Sequence, residues 1–183
     1  MSDLAKWENK TPSDIIAELN IKELPVDPFD IAARIGVVVK KDIDWEKMDA
    51  DGEIYINESG KPEIWINPMM HPNRQNFTLA HEIGHLTRDL LPNIGEFKAL
   101  QDNYSTLQRN GAKTYAETMA NIFASKLLMP EDLIVKYGQE IVDEYKKEKN
   151  KDMPIEKFIP IIANKAHVSA EAMRYRLKKL GII

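Results

Sequence analysis

The sequence predicts an α+β fold: a small antiparallel-containing sheet, helices around it and a helical C-terminal extension. Three observations point there. Residues 53–57 and 63–67 alternate polar and apolar side chains across a turn-forming spacer. Two apolar helical segments, near residues 76–91 and 114–129, are each closed by a proline. From residue 131 onward the pattern is helical almost throughout.

The elements follow in order. Thr11, Pro12 and Ser13 give start signals for a short helix over 11–19, with Ile15, Ile16 and Leu19 on one face. Asp27-Pro28 opens a second helix that turns Phe29, Ile31, Ala32 and Ile35 inward and stops at Gly36. The β-branched run Val37-Val38-Val39 then predicts a buried strand. Strands over 53–57 and 63–67, joined by Glu58-Ser59-Gly60-Lys61-Pro62, form a hairpin. Pro68 and Pro72 break the pattern before the apolar helix from about Asn76 to Leu91, which Pro92 ends. Thr114 to Met129 forms another helix, and three more are predicted near 131–149, 155–166 and 169–180. The polar stretch Lys146 to Asp152 connects helices, so the chain divides into a core over 1–130 and a helical segment over 131–183 packed on it.

Composition narrows the function classes. A chain of 183 residues, 43% hydrophobic and 30% charged, is long and apolar enough for a domain with its own core. A net charge of −4 argues against whole-surface attraction to nucleic acid or anionic lipid. No apolar run approaches the roughly 20 residues of a membrane span. Met1 to Lys10 is polar and mixed in charge, unlike a signal peptide, so a cytoplasmic location is expected. The chain has no cysteine, which excludes disulfides, a thiol nucleophile and thiolate-held zinc. Any metal must use histidine or oxygen ligands.

Such ligands occur in one conspicuous group. His81-Glu82-Ile83-Gly84-His85 is an H-E-x-x-H sequence inside a predicted helix, where positions four apart share a face and both imidazoles can reach one ion. Zinc in catalytic sites takes three protein ligands and leaves a position for water, and Glu82 is placed to act as general base. Manganese or iron could occupy the same ligand set. For the third ligand Glu117 is preferred. It stands on the next strongly helical segment, where Ala120 and Ala124 share its face and let that helix approach the histidine helix. Asn121 could orient a ligand or be an ordinary packing amide. His71 competes as a ligand but sits in the breaker-rich Met69-Met70-His71-Pro72, and His167 reads as a turn residue. Asp89, Glu96 and Asp102 are further carboxylates, and Tyr104 and Tyr115 could stabilise an oxyanion or simply pack.

Taken together, Phe77-Thr78-Leu79-Ala80-His81-Glu82-Ile83-Gly84-His85, Glu117-Thr118-Met119-Ala120-Asn121-Ile122-Phe123-Ala124 and Leu127-Leu128-Met129-Pro130 resemble the ImmA/IrrE family of metallo-endopeptidases. The likeness runs from about Pro25 to Pro130 and continues weakly into Val168–Met173 and Arg176-Leu177. It implies a zincin-like metallopeptidase core, zinc held by His81, His85 and Glu117, and Glu82 as catalytic base. It further implies a helix-turn-helix repressor as protein substrate. An extended substrate would add to the free edge of a strand, for which residues 63–67 are the candidate unless that strand is an inner one.

The C-terminal residues offer a competing class. Helices over 155–166 and 169–180 with a turn at His167-Val168 have a helix-turn-helix outline. Arg174, Arg176, Lys178 and Lys179 make the last helix basic. Packing or protein docking is favoured over direct DNA binding, because a solvated basic face is common and the preceding segment is acidic. A catalytically silent, metal-bound regulator is the third reading.

Overall fold

The computed structural model describes residues 2–93 and 115–183. Its local structure follows from capping chemistry. Helix α1 covers Ser2–Ala5 and α2 covers Pro12–Glu18. At the start of α2, Thr11 Oγ1 accepts from the Asp14 main-chain N–H, and the Asp14 carboxylate accepts from that of Thr11, a reciprocal capping box. Helix α3, Pro28–Ile35, is capped by Asp27 and stops at Gly36, whose φ of 91° is open to a residue without a side chain.

Three strands follow: β1 (Val38–Lys40), β2 (Gly52–Ile56) and β3 (Pro62–Ile66). The predicted hairpin is present, with Ile54 opposite Ile64 in antiparallel register. The sheet order is β1-β3-β2, with β1 parallel to β3, so the sheet is mixed. One open alternative is decided and one expectation is corrected here. The strand around residues 63–67 is central, because β1 returns to its far side, and among the described residues the free edges belong to β1 and β2. The Val37-Val38-Val39 strand is not buried: Val37 ends in the core, but Val38 is 54% exposed on the outer edge.

Glu63 on the central strand ties the three strands together. Its carboxylate accepts from Lys40 Nζ of β1 at 2.7 Å, Tyr55 Oη of β2 at 2.9 Å and Asn57 Nδ2 at 2.7 Å. The opposite face carries the fully buried Ile64 and Ile66, which join a core containing Leu79 and Ile83 of the next helix.

That helix, α4, runs Pro72–His85 and continues through a π-helical turn, Leu86–Leu90, and a short 3₁₀ turn, Leu91–Asn93. It starts earlier than the prolines suggest. Pro72 occupies the first helical turn, where its missing N–H costs nothing, and His71 is the cap. Helix α5, Tyr115–Leu128, packs along α4. Then come α6 (Glu131–Lys149), α7 (Ile155–Lys165) and α8 (Ala170–Lys179), close to the predicted spans. His167 is in the left-handed region with φ 53°, the turn role expected of it. One hydrophobic cluster extends from Trp7 through Ile83, Leu127 and Phe158 to Leu177. Among the described residues no helix is long and apolar enough to cross a membrane.

The Glu63 network generates a test. Its hydrogen bonds, that from Lys40 first, lower the Glu63 carboxyl from 4.5 to about 2. A group lowered on folding contributes stability above its unfolded value and loses it as the pH falls through the folded value. Lowering the pH from 4.5 toward about 2 should therefore destabilise the native chain more than Glu63→Gln, which has no such proton to bind. Urea midpoints across that window measure this; parallel curves for the two proteins would contradict it.

Candidate metal centre

The site grows from the pairing of α4 with α5. Gly84, inside the H-E-x-x-H sequence, is the contact that sets the approach: a Cβ there would lie 3.2 Å from the Phe123 Cβ, Cγ and Cδ1 atoms. Those atoms form the base of the phenylalanine side chain, which cannot swing aside as a flexible tip would. Ala120 and Ala124 on α5 are completely buried, as their small size predicts for a close helix crossing.

This approach brings His81, His85 and Glu117 together. His81 Nε2 and His85 Nε2 are 3.0 Å apart, and the two Glu117 oxygens each lie 3.3 Å from one of them. The distal ring nitrogens are fixed as well. His81 Nδ1 is 3.0 Å from Asn121 Oδ1, and His85 Nδ1 is 2.7 Å from Asp89 Oδ2. An amide oxygen and a carboxylate accept, so each Nδ1 carries the hydrogen and each Nε2 turns its lone pair to the shared centre.

Two imidazole lone pairs and a carboxylate pointing at one another need a cation between them. Ligands at about 2.0–2.2 Å from a tetrahedral ion are separated by about 3.3–3.6 Å, close to the spacings seen here. The donor set, its spacing and its buried setting fit one divalent metal ion. Burial, helped by the charge of His85, lowers the His81 imidazole below its ordinary range, which favours the neutral form a ligand needs. For His85 burial acts in the same direction. The Asp89 hydrogen bond and the carboxylates of Glu82, Glu117 and Asp89 outweigh it and leave that imidazole raised.

Glu82 lies beside these ligands, 8% exposed, under the edge strand β2. Burial raises its carboxyl to about 7; His85 and a main-chain hydrogen bond from Ile54 oppose the rise, and the charges of Glu117 and Glu53 add to it. Gly52 permits this closeness of β2 to α4, since a Cβ there would come within 2.5 Å of the Thr78 side chain. A carboxyl group near 7 is suited to both accepting and giving a proton at neutral pH.

The other described candidates fall outside the cluster. His71 caps α4, its Nδ1 accepting from the Asn73 main-chain N–H, and ten residues of helix place it about 15 Å from His81 along the axis. Tyr115 is 76% exposed at the start of α5. Glu96, Asp102 and Tyr104 lie outside the described residues. Asp89 is not among the three converging residues; it hydrogen-bonds His85 Nδ1. The signal for that role was its i,i+4 spacing from the second histidine, within reach along a continuing helix.

Comparison with known proteins agrees with this chemistry. The model of the family described as Peptidase_M78, IrrE N-terminal-like domain, matches residues 32–178. The chain is similar to the radiation response metalloprotease IrrE of Deinococcus radiodurans, 32% identical over 114 residues, 62% of this chain and 30% of that protein. The protein of the same name from Deinococcus deserti is also 32% identical, over 118 residues, 62% of this chain and 35% of its own length. The matched region thus spans about a third of those relatives. Among solved structures, a Mycobacterium tuberculosis transcriptional regulator superposes with a TM-score of 0.53 at 17% identity, covering 97% of this chain and 56% of the other, a likeness of fold.

The partners that hold the imidazoles can be tested apart from the ligands. Asp89→Ala and Asn121→Ala should each weaken zinc binding about 10- to 100-fold, the usual effect of freeing a ligating histidine. Competition against a chromophoric chelator measures it; wild-type affinity in both variants would show that the two contacts do not position the histidines.

Proposed function

We propose that this chain, which belongs to the IrrE N-terminal-like family of peptidases, is a zinc-dependent metallo-endopeptidase with a zincin-like core. The observation that carries the reading is the convergence of His81 Nε2, His85 Nε2 and the Glu117 carboxylate beside a buried Glu82. His81, His85 and Glu117 would hold the ion; zinc suits two imidazoles and a carboxylate, and manganese or iron are the alternatives. When bound, the metal supplies Lewis acidity, polarising a carbonyl and making water more acidic.

The chain's own groups manage the proton. Glu82 accepts it from water as the water oxygen adds to the scissile carbonyl carbon, then delivers it to the amide nitrogen as the C–N bond breaks. Asn121 and Asp89 keep the imidazoles in their ligating tautomer throughout.

Strand β2 would receive the substrate. One of its sides is paired to β3 and the other is a free edge among the described residues, and its Ile54 main chain reaches Glu82. An extended peptide laid along that edge brings a peptide bond beside the catalytic carboxylate. A folded helix cannot bind this way, since its backbone groups are already paired, so cleavage requires a linker or a locally unfolded segment. The substrate class we assign is a helix-turn-helix transcriptional repressor, cut slowly and selectively; the resemblance of the motifs to the ImmA/IrrE family supports it. A cytoplasmic setting accords with that substrate.

Direct DNA binding by the last helix has less support. Arg174 Nη2 is 2.6 Å from Glu156 of α7, and Arg176 is buried, its Nε donating to the Met129 carbonyl at 3.0 Å. Of the four cations, Lys178 and Lys179 remain exposed.

Glu82→Gln separates the enzyme from a silent metal-bound regulator. The variant should keep its metal and fold while cleavage of a repressor from the same genome falls about 10²- to 10⁴-fold, whereas the double variant His81→Ala, His85→Ala should lose the metal. Elemental analysis and gel-monitored proteolysis record both. Equal cleavage by Glu82→Gln and wild type would overturn the assignment.

A further inference from the structure

A groove of about 830 Å³ runs between α5 and α8, away from the sheet. Its α5 wall is one helical face, from Thr118 and Asn121 through Ile122, Ser125 and Lys126 to Met129. Its α8 wall is the face carrying Ala172, Tyr175, Arg176 and Lys179. The two helices are tied at one end, where the buried Arg176 donates to the Met129 carbonyl. The other end lies at Thr118, and one turn in from it stands Asn121, whose Oδ1 is bonded to His81. The eleven steps from Thr118 to Met129 make the trough about 16 Å long, and its lining includes the residue that positions a proposed metal ligand.

Its chemistry is specific. Phe77, Ile122, Met129, Ala172 and Tyr175 give it an apolar lining, and two of these are unusually open to solvent, Ile122 at 41% and Tyr175 at 60%. Lys126, Arg176 and Lys179 line it with positive charge against the carboxylate of Glu171. Lys126 and Lys179 are exposed, and no ion pair engages either among the described residues; Lys179 sits over the Tyr175 ring, 5.4 Å from its centre. Both walls are helices, so among the described residues the groove offers side chains and no free row of main-chain donors and acceptors. An extended peptide would leave its own backbone groups unpaired there. A helix brings its backbone already satisfied and presents apolar side chains at i, i+3, i+4 and i+7 to such a trough.

We infer that the α5–α8 groove docks an amphipathic helix with acidic flanks from the protein to be cleaved, holding it while an adjoining extended segment crosses the metal centre. The apolar lining selects protein over nucleic acid, and the lysines select glutamate and aspartate beside the apolar stripe. The identity of the occupant as a substrate rests on the proteolytic reading; the helix-binding groove does not. The groove and the edge strand β2 would then divide the work, one recognising folded structure and the other accepting the bond to be cut.

The experiment uses the full chain and a fluorescein-labelled helical peptide with leucines at i, i+3, i+4 and i+7 and glutamates on its flanks. Its partner carries lysines in place of the glutamates. Anisotropy titrations should show the acidic peptide binding the wild type about tenfold or more tightly than the basic one. The double charge reversal Lys126→Glu, Lys179→Glu should invert that preference with zinc content unchanged, and Ile122→Ser with Tyr175→Ser should weaken both peptides. Equal binding of the two peptides, an unchanged preference in the reversed variant, or tight binding of a labelled DNA duplex with no peptide preference would each overturn the inference. Joining the acidic helix to an internally quenched unstructured segment separates this inference from the proteolytic one. Charge-selective binding without cleavage upholds the groove and leaves the proteolytic reading to the Glu82→Gln comparison above; cleavage with no charge preference defeats the groove and upholds the protease.

Discussion

The contact between Gly84 and Phe123 is the constraint on which the rest of the molecule depends. Helices α4 and α5 approach closely because one offers no side chain at that point and the other has Ala120 and Ala124 buried along its face. A methyl group added at Gly84 gains helix propensity, about 1 kcal/mol. It also overpacks the crossing, which typically costs about 1–3 kcal/mol. Any widening moves Glu117 away from both histidines, whose nitrogens now lie 3.3 Å from its oxygens. The geometry of the centre is thus a packing result before it is an electrostatic one.

Electrostatics then assigns different tasks to neighbouring groups. Asn121 and Asp89 fix the hydrogens on the outer ring nitrogens, so the inner lone pairs are committed to the centre. Glu82, one residue from His81, is buried under β2 and held near neutrality by desolvation, while Glu117 stands one-third exposed among the nitrogen donors. Carboxylates of the same chemistry are separated in role by where the backbone puts them. The outer side of the sheet uses the same logic for a structural end, with Glu63 kept charged by Lys40, Asn57 and Tyr55.

Much of this was legible in the sequence where the information is local. The H-E-x-x-H spacing, the alanines beside Glu117, the prolines that close helices and the alternation of the hairpin each reflect a period or a cap within a few residues. Sheet order is not local. Nothing between Val37 and Trp65 says that β1 will return to the far side of β3, so residues 63–67 could be read as an edge or as an inner strand, and Val38 read as buried. Pro72 read as a breaker because its position relative to the first helical turn depends on the cap at His71. Half of the last helix's basic set is engaged for a related reason: Arg174 and Arg176 turn to Glu156 and the Met129 carbonyl, partners distant in sequence, while Lys178 and Lys179 stay exposed. Asp89 was visible as a carboxylate, but its pairing with His85 depends on the helical path continuing past the motif through a π-helical turn.

The central claim is that α5 completes the site by delivering Glu117, and zinc affinity in a matched pair of variants tests it directly. Chelator-competition titrations of Glu117→Ala and His71→Ala should show a marked loss of affinity in the first, from deletion of a ligating carboxylate, and wild-type binding in the second. Undiminished affinity in Glu117→Ala together with loss in His71→Ala would contradict the account.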